Sequence, residues 1–509
     1  MYNTRFQLLF LVLLVLAMKQ PLNAQGNYEE PYRPQFHFTP EKNWMNDPNG
    51  LVFYKGEYHL FYQHNPFGNS WGHMSWGHAV SKDLVHWQHL PVALAEENGV
   101  MIFSGSAVVD WNNTSGLCKG SDLKDKSCLV AIYTAHIEGK NQSQHIAYSN
   151  DRGRTWTKFA GNPVIDVGYK DFRDPKVFWH EATKRWVMVV SVSKEQKVRF
   201  YGSPNLEQWE LLSEFGPAGV KHDGMLWECP DLFELPVEGQ PGKKRWVLIV
   251  NINPGGIAGG SGGQYFVGNF DGRKFTNDNP GDTALFVDHG KDFYAGVTFS
   301  DAPNGRRILI GWMSNWHYAG KEPTSPFRTA QSIPRVLSLR QTVAGIRLIQ
   351  QPIAELKTLR NNAAALKAVN ILANSAPKEL LVGDALELVA EYEVGKDSAA
   401  LIRLRSELSE TVVGYDTATG KMFIDRTRSG DVGFHPNFAG RHEVALAPKQ
   451  GRIKLHVFVD RSSVEVFGND GEAALTDRIF PPSPKQRVEL AGNAKCLLLQ
   501  GWELRSIWK

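Results

Sequence analysis

Three acidic side chains in the first half of the chain stand where bond-making chemistry is plausible on residue type alone. Asp47 lies in Trp44-Met45-Asn46-Asp47-Pro48-Asn49-Gly50, between an amide side chain and a proline, so its carboxylate rides on a stiff turn. Asp174 follows Phe172-Arg173 and precedes Pro175, and Glu228 sits in Trp227-Glu228-Cys229-Pro230-Asp231. Any one of these motifs taken alone reads as turn chemistry. Together they suggest a site, because three convergent carboxylates cannot all ionise freely: like charges raise one another's pKa. Glu228, between Trp227 and Cys229, is the candidate to be desolvated and held protonated as an acid. Asp47 is the candidate ionised nucleophile. Arg173 is placed to keep a carboxylate of the site ionised, although neighbours along a strand point to opposite faces. One attacking carboxylate and one acid, roughly 5 to 5.5 Å apart, are what a retaining glycosidase needs.

Those residues are far apart along the chain, so the fold must bring them together. Leu51 to Gln63 alternate around Lys55-Gly56 and predict a hairpin. Short apolar runs bounded by turn residues recur at Leu129 to Tyr133, Trp186 to Val192, Trp246 to Asn251 and Ile308 to Trp312. A weak repeat accompanies them. Ser81 and Asp83-Leu84 lead to Trp87, Ser149 and Asp151 lead to Trp156, and Ser203 and Asn205-Leu206 lead to Trp209; Asp271-Gly272 leads to Phe275 in a looser copy. Such spacing suits propeller blades. Residues 28–345 are therefore expected to form a five-bladed β-propeller, whose strand ends would converge the three carboxylates around one axis. The alternative is a set of unrelated hairpins sharing turn chemistry. In either case Asp83 and Asp151 read as turn residues, and Trp87, Trp156 and Trp209 as blade core. Residues 346–375 carry a helical composition and are expected to be a linker with a short helix. Residues 376–509 alternate between turns, which predicts a β-sandwich and an all-β protein overall.

Composition excludes several classes. The chain has 509 residues, a net charge of +3 and no basic block, which argues against nucleic acid or an anionic membrane as partner. Residues 1–24 read as a signal peptide, with Arg5 before an apolar run from Phe6 to Met18 that is too short to span a bilayer comfortably, and Ala24 as a small residue for cleavage. An exported protein without a membrane span is expected. Cys118 and Cys128 flank a polar loop and either pair after export or remain thiols; four cysteines are too few for a disulfide scaffold. Sequons begin at Asn112, Asn113 and Asn141 and matter only in a host that glycosylates. His59, His64, His73, His78, His86 and His89 follow strands and turns without a ligand pattern, so no metal site is expected.

The motifs from Trp44 to Gly50, Phe103-Ser104-Gly105-Ser106, Arg173-Asp174-Pro175 and Glu228-Cys229-Pro230 resemble, in order, the signatures of glycoside hydrolase family 32, the invertases, inulinases and levanases. Phe458 to Phe467 is similar to that family's C-terminal sandwich. The resemblance implies a five-bladed propeller with a funnel-shaped site and metal-free, cofactor-free hydrolysis of β-D-fructofuranosides with retention. It implies Asp47 as nucleophile, Glu228 as acid/base and Asp174 as the holder of fructosyl hydroxyls. Asn46, Gln63, Trp71, Phe103, Ser104 and Arg173 match positions lining the fructose subsite, and Trp316 matches an aromatic wall. Asp460 and Glu465 read as structural. The expected activity is exo-cleavage of levan or inulin, with sucrose as a further substrate. A fructan binder without catalysis and a fructosyltransferase using the same residues are the alternatives.

Overall fold

The computed structural model describes residues 28–119, 126–373, 375–396 and 398–508. The expected signal peptide, residues 1–24, lies outside them. Among the described residues the first two thirds of the chain form five antiparallel sheets in chain order. Their innermost strands are Asn43–Tyr54, Val100–Asp110, Phe172–His180, Leu226–Pro236 and Tyr294–Thr298. This is the five-bladed propeller. The fifth blade runs on to Gly345–Pro352, and the ring is closed where Asn43 and Trp44 pair in parallel with Phe327 and Arg328. Apolar side chains between adjacent blades build the core. Val108, Ile132, Val177 and Met188 meet between the second and third blades, and Val189, Phe200, Leu248 and Phe266 between the third and fourth.

Local chemistry explains the blades. In the first hairpin Tyr54 pairs with Glu57 across Lys55 (φ 47°) and Gly56 (φ 89°), a two-residue turn whose positive φ values match strand twist. The sequence repeat is the turn between the third and fourth strands of a blade. Asp83 Oδ1 accepts the backbone N–H groups of Val85 and His86, Asp151 Oδ1 those of Arg154 and Thr155, and Asn205 Oδ1 those of Glu207 and Gln208. Trp87 is buried and Trp156 and Trp209 are half-buried.

The helical linker is a correction. Among its described residues only Ala354–Leu359 is helical, as a short 3-10 turn, and Arg360–Ile371 is a strand paired along Gln486–Leu504. Helix propensity is a weak preference, and here the hydrogen bonds of a nineteen-residue neighbouring strand override it. That long strand organises the C-terminal sandwich. Its first half pairs with Ala399–Arg405 and its second half with Leu386–Glu393, so it passes from one sheet to the other over a core of Leu388, Ile402, Leu455 and Leu490.

The sandwich docks on the propeller through buried charge. Asp460 accepts the backbone N–H groups of Gln35 and Phe36, and His37 bridges Asp460 (2.8 Å) and Glu465 (2.9 Å). Glu465 also receives Arg335 at 2.5 Å, whose other side pairs with Asp288 at 2.8 Å. Asp460 and Glu465 thus carry the structural role expected of them. Cys118 and Cys128 form a disulfide, which decides a pairing left open by spacing.

Candidate active site

Each of the five innermost strands carries a bulge at the same height. Asn46 and Asp47 together oppose Gln63, Asp174 and Pro175 oppose Val190, Cys229 and Pro230 oppose Val250, and Ala295 and Gly296 oppose Gly311. In the second blade Ser104 is the extra residue between Phe103 and Gly105. A bulge frees a residue from the ladder and re-aims its side chain. Proline, which has no N–H to give the ladder, is tolerated at such a point, as at Pro48, Pro175 and Pro230. Asp174 (φ 65°) and Cys229 (φ 43°) take the left-handed backbone conformation there. That is the local reason the motifs hold a proline beside an acid.

The bulges bring the three carboxylates into one linked group. Asp47 Oδ2 accepts from Ser104 Oγ at 2.6 Å and from the Cys229 thiol at 3.4 Å, while Asp47 Oδ1 accepts from Asn46 Nδ2 at 3.0 Å. Asp174 Oδ2 accepts the Cys229 backbone N–H at 2.8 Å and faces its thiol at 3.6 Å. The Asp174 backbone N–H is anchored on Thr134 Oγ1 at 3.0 Å. Glu228 Oε1 takes the Arg173 guanidinium at 3.0 to 3.1 Å, and Glu228 Oε2 accepts the Tyr294 hydroxyl. Arg173 is braced from behind by Gln142 and Asp171, both at 3.2 Å.

Burial inverts one expectation. Asp47 (9% exposed) and Asp174 (6%) are the enclosed carboxylates, whereas the Glu228 side chain is 19% exposed and ion-paired. Flanking Trp227 and Cys229 could not report this, because neighbours in sequence do not determine what packs across from another blade. Burial raises the Asp47 pKa above the usual aspartate range; the Ser104 hydrogen bond opposes it and the Glu228 charge adds to it. Burial likewise pushes Asp174 up to about 7, against the pull of Arg173. The Cys229 thiol is driven well up, first by burial and then by the Asp174 and Asp47 charges, so it stays a hydrogen-bond donor. Burial works against the Arg173 cation, but Glu228, Asp174 and Asp171 more than offset it.

The remaining predicted residues fall around this group. Asn46 is buried, accepting from Trp44 Nε1 at 2.7 Å, and Gln63 gives its amide to the Ile102 carbonyl at 3.0 Å. Phe103 stacks on His136 with ring centres 4.3 Å apart, and Trp71, 45% exposed at the rim, meets Phe103 edge-on at 6.2 Å. Trp316 packs on Trp312 (4.8 Å) and Trp44 (6.0 Å), and Trp312 in turn meets Tyr294. Trp71 and Trp316 thus contact other aromatic rings, and neither is hydrogen-bonded to the three carboxylates. Sequence reasoning missed Tyr294, Gln142 and Asp171, which sit in no motif, and saw Cys229 only as a neighbour of Glu228. Among the described residues no group of three metal-ligating side chains is present. His59 and His78 bond to each other at 3.1 Å, and burial lowers both pKa values.

Comparison with known proteins agrees across both parts of the chain. The family model for the glycosyl hydrolases family 32 N-terminal domain matches residues 37–352, and that for the family 32 C-terminal region matches 355–500. A levanase of Bacillus subtilis (strain 168) is 51% identical over 98% of this chain and 74% of its own length. An extracellular exo-inulinase of Aspergillus awamori is 42% identical over 97% of this chain and 98% of its own. The crystal structure of exo-inulinase from Aspergillus awamori superposes with a TM-score of 0.88 at 41% identity, covering 95% of this chain and all of that one. A β-fructofuranosidase from Schwanniomyces occidentalis, complexed with fructosyl-erythritol, gives a TM-score of 0.87 at 36% identity, covering 94% and 98%.

Proposed function

The chain belongs to glycosyl hydrolase family 32, and from that premise we propose that it removes terminal β-D-fructofuranosyl residues from fructans, and from sucrose, by double displacement with retention. The observation that carries the reading is the single hydrogen-bonded group that joins Asp47 to Asp174 through Cys229, with Arg173 reaching from the Asp174 bulge to Glu228. In the first step Asp47 attacks the anomeric carbon while Glu228 gives its proton to the departing glycosidic oxygen. In the second, the Glu228 carboxylate takes a proton from water, the water oxygen bonds to the anomeric carbon, and Asp47 is released. Asp174 holds fructosyl hydroxyls and meets the positive charge that develops on the ring. Ser104, Asn46 and the Cys229 thiol stabilise the Asp47 anion, as a nucleophile in a buried site requires. Tyr294 and Arg173 orient Glu228.

Export follows from residues 1–24 as signal peptide and is supported by the Cys118–Cys128 disulfide, which suits an oxidising compartment. No helix among the described residues is long and apolar enough to cross a membrane. The levanase and exo-inulinase relatives support fructan as the principal substrate and exo-action as the mode. The test is product analysis with purified protein on levan, inulin and sucrose. Free fructose as the main early product supports exo-hydrolysis, and early oligosaccharides of mixed length contradict it. Activity is expected to survive a chelator, and a loss restored by added divalent cation would contradict the mechanism. Glu228→Gln should lose roughly 10² to 10⁴ in rate on sucrose and much less on substrates with good leaving groups. Equal losses on both would remove it from the acid role.

A further inference from the structure

The innermost strands have a second end. Their bulges point into the site described above, and five to six residues further along the same strands line a cavity of about 620 Å³ on the opposite face of the propeller. At about 3.3 Å per residue, the step from Asp174 to Trp179 or from Glu228 to Glu234 places the outer part of this cavity roughly 17 to 20 Å along the strands from the carboxylates, while its floor reaches Lys176. The two spaces are separated within the propeller axis by Lys176, whose ammonium bonds the Thr298 carbonyl at 2.7 Å and Asp231 at 3.2 Å. Nothing in the proposed reaction uses the far cavity.

Its walls combine four indoles, those of Trp111, Trp179, Trp186 and Trp246, with carboxylates and a guanidinium, among them Glu234, Asp301 and Arg307. Trp111 is 53% exposed, with its indole N–H on Asp301 at 3.1 Å, and Trp179 and Trp246 are half-buried. A purely apolar ligand would shut water away from the Asp301 carboxylate and from Glu234, which pairs with Lys244 at 2.8 Å, without giving either a new hydrogen bond, at a cost in desolvation. An anion fares worse. Lys176 is already engaged with Asp231, and Arg307 lies over the Phe233 ring at 5.2 Å and bonds the Phe299 carbonyl at 3.2 Å, while Glu234 and Asp301 would repel a negative charge. A neutral sugar ring fits both features, since it offers a C–H face to an indole and hydroxyls to carboxylates and guanidinium. The volume falls in the range of small-ligand sites.

We propose that this far-face cavity is a second, non-catalytic binding site for a fructosyl oligosaccharide segment. The choice of fructosyl ligand rests on the function proposed above. Holding one part of a polymer there would raise the effective concentration of chain ends near neighbouring enzyme molecules without altering the chemical step. The test uses the full chain carrying Asp47→Asn, which binds without turnover, titrated calorimetrically with a fructan trisaccharide. Two ligands per chain are expected, falling to one when Trp111→Ala and Glu234→Ala are added. A single ligand per chain, or two that persist in the combined variant, would overturn the second site, as would no binding at all. Failure of the primary function is read separately, as absence of fructose release by the unaltered enzyme. With Asp47 restored, the Trp111→Ala, Glu234→Ala protein should hydrolyse sucrose at the unaltered rate, which also shows that it is folded. Its kcat/KM on polymeric fructan should fall several-fold; unchanged polymer kinetics would contradict the proposal.

Discussion

Asp47 and Asp174 are both enclosed at their bulges, and the consequences of that burial are measurable. Because the Ser104 hydroxyl lowers an Asp47 pKa that burial has raised, Ser104→Ala should raise it further. The acidic limb of kcat/KM should then move to higher pH, with a drop in rate; a lowered rate on an unmoved limb would assign Ser104 to substrate contact instead. Asp174 makes a prediction about stability. Its folded pKa, pushed up to about 7, lies above its unfolded value. Its contribution therefore favours the folded state fully below the unfolded aspartate range and is lost as pH rises through about 7. Asp174→Asn should gain stability relative to the unaltered protein across that window, by on the order of a few kcal/mol, as read from denaturant midpoints at pH 4 and pH 8. An advantage that shrinks as pH rises would show that Asp174 is not desolvated. At this scale the three acids were legible because each is followed by a proline within two positions. The ranking of their environments was not, because the partners that set it, Ser104 for Asp47 and Tyr294 for Glu228, come from other blades.

At the scale of elements, the bulge does the positioning, and it depends on small residues that let strands approach. A Cβ on Gly105 would lie 2.0 Å from the Ile132 carbonyl oxygen. Gly105→Ala should therefore shift the bulge that presents Ser104, costing about 1 to 3 kcal/mol in stability by overpacking and a larger fraction of activity. Near-native activity in that variant would mean that the bulge tolerates displacement. Alternation and turn chemistry showed the hairpins and the blade repeat, since Asp83, Asp151 and Asn205 cap their turns through bonds within a few residues. The strand Arg360–Ile371 was misread as helix for the opposite reason. Its partner, Gln486–Leu504, lies more than a hundred residues away, and no local pattern records that pairing.

For the whole molecule, the sandwich and the propeller share a buried electrostatic seam. Arg335 is fully buried between Asp288 and Glu465, and Glu465 in turn holds His37. Replacing a partner in such a group leaves an uncompensated charge, so Arg335→Met should cost about 3 to 5 kcal/mol. Thermal unfolding should show the propeller and sandwich destabilised together. Two separated transitions with an unaltered propeller would show that the seam does not couple them. The two-part architecture was legible from the change of texture after residue 345, but the seam was not: Asp460 and Glu465 read only as structural until their partners from the propeller side were placed.

The central claim, that Asp47 attacks the fructosyl carbon while Glu228 handles protons, is tested most directly by trapping the intermediate. Glu228→Gln given an activated fructoside should load quickly, since little acid help is needed, and unload slowly, since the base is gone. Peptide mapping by mass spectrometry should then find a single fructosyl group on the peptide carrying Asp47. Accumulation of the group on any other residue, or turnover of the activated substrate with no adduct and an α-configured product, would contradict the account.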